Sequence, residues 1–234
     1  MSAGKPVTKT LEKRFRAVIF DLDGTLIDSI QDIADCMNRV LAARGRRPFK
    51  VEEYKLLVGE GIEEMVRRVL RLQRPAGPEP SPDEIASVVA DYRAQYKNGW
   101  KATSRPYPGI TELLSGLEAL GVRKAVLSNK SHLYTDIIIR ELLAPFVFDS
   151  VCGAKPGQPQ KPDPAPALAI AAGFDLSPAE VVFIGDASID MQTALAAGMF
   201  PAGVLWGFRS RVELVRAGAR FLAVHPLDLL PLFS

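Results

Sequence analysis

The apolar positions along the chain follow two rhythms. The run Ala17-Val18-Ile19-Phe20 is short, continuous and followed by a polar loop, which predicts a buried parallel strand. From residue 29 to residue 100 the spacing is helical. Residues 29–44 place Ile30, Ile33, Met37, Val40 and Leu41 on one side, with Gly45 as the stop. Met65, Val66, Val69, Leu70 and Leu72 form a second stripe, and Ile85, Val88, Val89 and Tyr92 a third. The Pro/Gly-rich stretch 75–82 separates them as a loop. No strand is expected in this segment.

After Tyr107-Pro108-Gly109 helices and strands alternate. Strands are predicted over 123–127, 147–151, 181–184, 201–205 and 220–224. Helices are predicted over 110–120, 133–142, after Pro164, over 191–197 and 209–217, and at the C-terminus. Such alternation implies a parallel sheet with helices on both faces and right-handed crossovers. Ligands of such sheets bind beyond the carboxyl ends of the strands. The chain therefore reads as α/β, a doubly wound, Rossmann-like parallel sheet with an inserted helical cap. Residues 1–28 carry the N-terminal tail, first strand and catalytic loop of the core, residues 29–103 the cap, and residues 104–234 the rest of the core.

Composition changes this picture little. The chain has 234 residues, 47% hydrophobic and 24% charged, ordinary for a soluble protein with a sizeable core. A net charge of +2 is too mild to argue for nucleic acid. The basic run 44–47, followed by Glu52 and Glu53, reads as a solvated loop. The first 16 residues are polar and lack the apolar core of a signal peptide, and the first dozen read as a loose tail. No apolar run reaches the roughly 18 residues of a membrane span. Two cysteines, Cys36 in a helical pattern and Cys152 at the end of a strand-like run, are too few for a disulfide framework. They read as small buried residues in a reducing cytoplasm.

The chemistry gathers at strand ends. Asp21 and Asp23 follow the first strand, Ser128 and Asn129 the second, and Gly185-Asp186 the fourth, with Asp190 close behind. Lys161 stands in a loop after the third strand. Carboxylates from separate strands repel one another unless a hard cation joins them, and oxygen ligands suit Mg²⁺. A phosphate placed there is open to attack by one carboxylate, giving an aspartyl-phosphate. A second carboxylate can protonate the leaving oxygen, and a lysine and a hydroxyl can hold the phosphate. In an extended segment Asp21 and Asp23 point to one side while Leu22 faces the core. Gly24 permits a turn, and Thr25 can hydrogen-bond within it. Asp186 and Asp190 share a face if a helical turn begins there.

Asp21-Leu22-Asp23-Gly24-Thr25-Leu26 resembles the first motif of the haloacid dehalogenase superfamily. Ser128-Asn129 resembles its second motif, Lys161-Pro162 its third, and Gly185-Asp186 with Asp190 its fourth. The resemblance implies Asp21 as nucleophile and Mg²⁺ ligand, Asp23 as general acid/base and ligand through its backbone carbonyl, and Asp186 as a further ligand. It implies Ser128, Asn129 and Lys161, with Gly24 and Thr25, around the phosphate, and Asp190 as an outer residue orienting the metal's water or Lys161. The helical insert resembles the cap of one branch, which reads the leaving group. Ala187-Ser188-Ile189-Asp190-Met191 and Trp206-Gly207-Phe208 are similar to the phosphoglycolate phosphatase group, as is Val58-Gly59-Glu60-Gly61, the glycine-rich specificity loop of its cap. The implied activity is hydrolysis of a small phosphomonoester, with phosphoglycolate the leading substrate, by a monomer or homodimer with no nucleic-acid or membrane partner.

Alternatives are a phosphosugar mutase such as β-phosphoglucomutase, a pyrophosphatase or nucleotidase of the same superfamily, and a non-catalytic phospho-ligand-binding protein. Asp23 argues against dehalogenase and phosphonate-hydrolase chemistry, although Lys50 and Lys55 lie in the cap. His132 is expected to face solvent, and His225, before Pro226, to be structural. Arg67, Arg68 and Arg71 are expected to cover a helix surface, with substrate contact as the alternative. Trp206 reads as packing or an oligomer contact.

Overall fold

The four residues of β1 (Ala17–Phe20) are fully buried, and they form the middle of the molecule. The computed structural model describes residues 15–234, so the loose tail expected at the N-terminus lies outside the described residues. The further strands of the main sheet are β4 (Arg123–Ser131), β5 (Ser150–Ala154), β6 (Val181–Gly185), β7 (Phe200–Val204) and β8 (Phe221–Ala223). Among the described residues these six strands form one sheet in the order β5-β4-β1-β6-β7-β8, every pairing parallel. From β1 the sheet grows first through β4 and β5, then on the other side through β6 to β8. The order therefore reverses at β1, where such sheets open a crevice at their carboxyl ends.

Alternation along β1 divides the core into two layers. Val18 and Phe20 join a cluster that contains α5 (Ile110–Ala119) and α6 (His132–Leu142). Ala17 and Ile19 face α7 (Ala165–Gly173) and α8 (Ser188–Ala196). Both faces of the sheet are thus covered by helices. The short α9 (Arg211–Arg216) follows β7.

Between β1 and β4 the chain makes the helical insert. Its helices are α1 (Ile30–Ala43), α2 (Val51–Tyr54), α3 (Ile62–Gln73) and α4 (Pro82–Gly99). α4 starts where Ser81 accepts a hydrogen bond from the Glu84 N–H and Pro82 fills the first turn. Two crossings join insert and core. β2 (Ile27–Asp28) pairs antiparallel with β3 (Arg105–Pro106), a two-stranded tie that the apolar pattern does not announce. Beside it the buried Asp32 carboxylate accepts hydrogen bonds from the backbone N–H and hydroxyl groups of both Thr103 and Ser104.

Several boundaries differ from the expected ones. β4 runs on through Ser131, with a register shift between Leu127 and Ser131, so Ser128 and Asn129 lie inside the strand at its irregular end. The strand expected at 147–151 begins at Ser150, and Cys152 sits in its middle. Pro226 and Pro231 turn the expected terminal helix into a 3₁₀ segment, Pro226–Leu232. Leu72 is 50% exposed and leaves the apolar stripe of α3. The basic run is not a free solvated loop: Arg44 binds Asp91 and Ser87, and Arg46 binds Glu84, so it clasps α4. No helix among the described residues is long and apolar enough to cross a membrane.

Candidate active site

Three adjacent strands bring the polar residues together. Asp21 follows β1, Asp186 follows β6, and Ser128 lies in β4; β1 is the strand between the other two. Asp190 stands in the first turn of α8, where its Oδ2 accepts the Ala187 N–H at 3.0 Å. Asp21, Asp186 and Asp190 each offer an oxygen within 4.8 Å of the others, and all three are buried.

Lys161 neutralises part of this charge. Its side chain is 1% exposed, and its Nζ lies 2.8 Å from Asp21 Oδ1 and 2.7 Å from Asp190 Oδ1. Burial alone would lower its pKa, but the Asp190 and Asp21 carboxylates outweigh that and hold the ammonium above its ordinary range. Burial pushes the Asp21 carboxyl up to about 6, opposed by Lys161 and reinforced by Asp190. Burial also raises Asp186 well above the carboxylate range, with Asp190 and Asp21 adding to the effect. One buried ammonium is therefore short of what three buried carboxylates require. The donor set is hard oxygen, in a pocket that still favours positive charge, and this fits a cation such as Mg²⁺.

Close backbone approach shapes the pocket. Gly24, at φ +85°, and Gly207 each pass so near the Asp186 carboxylate that a Cβ at either position would collide with it. Asp186 is held by the Phe208 N–H at 2.7 Å and by the Thr25 hydroxyl at 3.3 Å. The Gly24 N–H itself donates to Ile27 O at 2.9 Å within the loop. Trp206, expected in packing or an oligomer contact, donates its indole N–H to Thr25 O at 3.0 Å and so supports the loop after β1.

Asp21 and Asp23 do not share one set of partners. The chain bends at Leu22, whose carbonyl accepts the N–H groups of Thr25, Leu26 and Ile27. Asp23 then meets Lys130 Nζ at 3.0 and 2.8 Å and the Ser29 hydroxyl at 2.5 Å. Lys130 Nζ also lies 4.9 Å from the centre of the Tyr96 ring on α4. Neither Lys130 nor Ser29 was singled out from sequence. The signal for Lys130 was its place directly after Ser128-Asn129.

Asn129 links core and insert. Its amide accepts the Lys161 N–H and donates to Lys161 O, both at 3.0 Å, and reaches Gly59 O at 3.4 Å. Ser128 is buried, with its hydroxyl accepting the Lys130 N–H at 3.2 Å. Gly61 packs beside Asn129 O and Gln160, while the Glu60 carboxylate pairs with Arg68. Arg67 binds Glu64 and Arg71 binds Gly77 O and Glu79, so these arginines tie the insert to itself. His132 is half-buried, and its Nδ1 accepts the Gly153 N–H at 3.4 Å, which corrects the solvent-facing expectation. His225 caps the terminal 3₁₀ segment, accepting the Leu227 N–H at 3.3 Å.

Comparison with known proteins bears on the family and the fold. The family model for haloacid dehalogenase-like hydrolases matches residues 18–204. A phosphoglycolate phosphatase of Thiobacillus denitrificans is 32% identical over 190 residues, 81% of this chain and 83% of that protein. Phosphoglycolate phosphatase 1 of Pseudomonas aeruginosa is 30% identical over 233 residues, 99% of this chain and 84% of the relative. The crystal structure of a "predicted phosphoglycolate phosphatase" from Haemophilus somnus superposes with a TM-score of 0.88 at 25% identity, covering 95% of this chain and 100% of that one.

Proposed function

Because the chain belongs to the haloacid dehalogenase-like hydrolases, we propose that it is a Mg²⁺-dependent phosphatase of small phosphomonoesters, with phosphoglycolate the leading substrate. The observation that carries the reading is the meeting of Asp21, Asp186 and Asp190 around buried Lys161 at the carboxyl ends of β1 and β6. The names of the curated relatives support phosphoglycolate.

Asp21 and Asp186, with the backbone carbonyl of Asp23, would hold Mg²⁺, which neutralises phosphate oxygens and the carboxylates' mutual repulsion. Asp21 attacks phosphorus: an Asp21 oxygen–phosphorus bond forms as the bond to the leaving oxygen breaks. Asp23 gives that oxygen its proton. In the second half Asp23 takes a proton from water, the water oxygen bonds to phosphorus, and the Asp21–phosphorus bond breaks to release phosphate. Lys161 and Ser128 hold the phosphoryl oxygens as charge grows on them. Asp190 anchors Lys161, and Asn129 fixes the backbone that carries it. Residues 29–103 act as the cap, with the Gly59-Glu60-Gly61 loop over the site.

Phosphate release is to be measured from phosphoglycolate, sugar phosphates, nucleotides and pyrophosphate, with Mg²⁺ and with EDTA. Magnesium-dependent release, strongest from phosphoglycolate, is expected. Release from none of them would overturn the reading.

A further inference from the structure

Arg209 belongs to the core, in the loop between β7 and α9, yet its head lies against the insert. Its side chain is 9% exposed. Nη2 donates to Val58 O at 2.9 Å and approaches Leu56 O at 3.5 Å. Nε lies 3.3 Å from the Glu213 carboxylate. Nη1 is buried and has no hydrogen-bond partner among the described residues. Leaving such a donor unpaired is costly, and buried orphans of this kind are uncommon enough to call for an explanation.

The position of this donor supplies one. The neighbouring residue, Phe208, donates its N–H to Asp186 Oδ2 at 2.7 Å, so Arg209 is one residue removed from the acidic cluster. Its charge is close enough to Asp186 to oppose the rise that burial causes there. On the insert side a Cβ on Gly59 would lie 4.0 Å from Nη2. The next carbonyl along, Gly59 O, is reached by Asn129, which also holds the Lys161 backbone. The unpaired N–H groups therefore lie at the seam where the glycine-rich loop meets the residues assigned to phosphate.

We propose that Arg209 receives a carboxylate on the leaving-group side of the substrate and so selects phosphate esters of acidic alcohols over neutral ones. This rests on the phosphatase reading. The guanidinium is a planar donor suited to carboxylates. Glu213 occupies only the Nε side of the guanidinium, which leaves the Nη1 donor for an acceptor on the ligand. A second phosphate would bring excess negative charge beside Asp186. The same side chain holds Val58 O, which makes the position of the glycine-rich loop and the recognition of the acid one event.

The test compares phosphoglycolate with 2-hydroxyethyl phosphate, a neutral ester of similar size, using p-nitrophenyl phosphate to establish turnover. Wild-type protein with Mg²⁺ is expected to prefer phosphoglycolate. Arg209→Gln is expected to raise KM for phosphoglycolate about 10–100-fold and to change 2-hydroxyethyl phosphate by less than about threefold. Arg209→Lys keeps a charge and should retain part of the preference, which covers the case in which glutamine impairs folding, judged by thermal unfolding. Equal losses on both esters would overturn the proposal and reduce Arg209 to a strap on the loop. A wild-type protein without preference would overturn it as well. Failure to release phosphate from all three esters would instead overturn the phosphatase reading beneath it.

Discussion

Lys130 grips both carboxylate oxygens of Asp23, at 3.0 and 2.8 Å, while Ser29 donates to the same group at 2.5 Å. Asp23 is thereby fixed at the edge of the site, between the end of β4 and the start of the insert. Lys130 also faces the Tyr96 ring, so its position depends on the insert being in place. If Asp23 transfers the proton, its aim depends on Lys130. Lys130→Met is expected to lower kcat about 100-fold with little change in KM, the lower end of general acid–base effects. Lys130→Arg should recover part of the loss. A change confined to KM would show that Lys130 binds substrate and does not position Asp23.

Asp21→Asn tests the nucleophile. Turnover should fall by at least about a thousandfold, as for removal of other nucleophiles. The fold should survive, because the substitution is isosteric and removes a buried charge that burial disfavours. Phosphate release and thermal unfolding, measured on one preparation, check both halves. Full activity in this variant would exclude an Asp21-phosphate.

The same burial predicts an unusual dependence of stability on pH in EDTA. Asp21 is raised from 3.8 to about 6, and Asp186 is raised too. In that window the folded state binds more protons than the unfolded one, so stability falls as pH rises. The depressed carboxylates Asp32, Glu84, Glu112 and Glu180 act with opposite sign, but around or below their ordinary values of 3.8 and 4.5. The raised Lys161 loses its contribution only above 10.5. The melting temperature in EDTA is therefore expected to drop by several degrees between about pH 5 and pH 7.5, at about 2–4 °C per kcal/mol. Mg²⁺ should restore it at pH 7.5 and do little at pH 5, since binding only the folded state stabilises it. Asp21→Asn should flatten the slope.

The strand-end logic made the fold class readable before the structure. β1 reads as buried because all four of its side chains are apolar, and they are buried on both sheet faces. Lys161 could be named from its motif, but its two carboxylate partners, Asp21 after β1 and Asp190 in α8, lie 140 and 29 residues away in the chain. What the pattern missed is polar and non-local. β2 and β3 are two residues each, too short for any period, and are defined only by pairing with each other. Beyond its place after Ser128-Asn129, nothing in the local sequence marks Lys130 as a site residue, and nothing marks Arg209. Only the tertiary fold aims one at Asp23 and the other at Val58 O. The terminal segment differs from the expected helix for a local reason, since Pro226 and Pro231 hold it as a 3₁₀ segment.

Asp32 gives a last prediction, at the place where insert and core are tied. Its carboxylate is 1% exposed and is satisfied by four donors, the N–H and hydroxyl groups of Thr103 and Ser104. Burial would raise its pKa, but these hydrogen bonds outweigh burial and hold it below 3.8. Its contribution is therefore complete above pH 3.8 and is lost as pH falls through the lower folded value. Asp32→Ala strands two backbone N–H groups and should cost about 2–4 kcal/mol. Asp32→Asn keeps one acceptor oxygen and should cost less. The donors lie next to β3, so the loss frees the return crossing from α1. The opening of that crossing can be read by hydrogen exchange at Thr103, Ser104 and Arg105, which should speed up in the alanine variant more than amides in β1. If the tie sets how the insert sits over the core, KM should rise while the chemical step, measured at saturating substrate, changes little. Uniform acceleration of exchange across the chain would mean that Asp32 serves global stability and has no separate part in the joint.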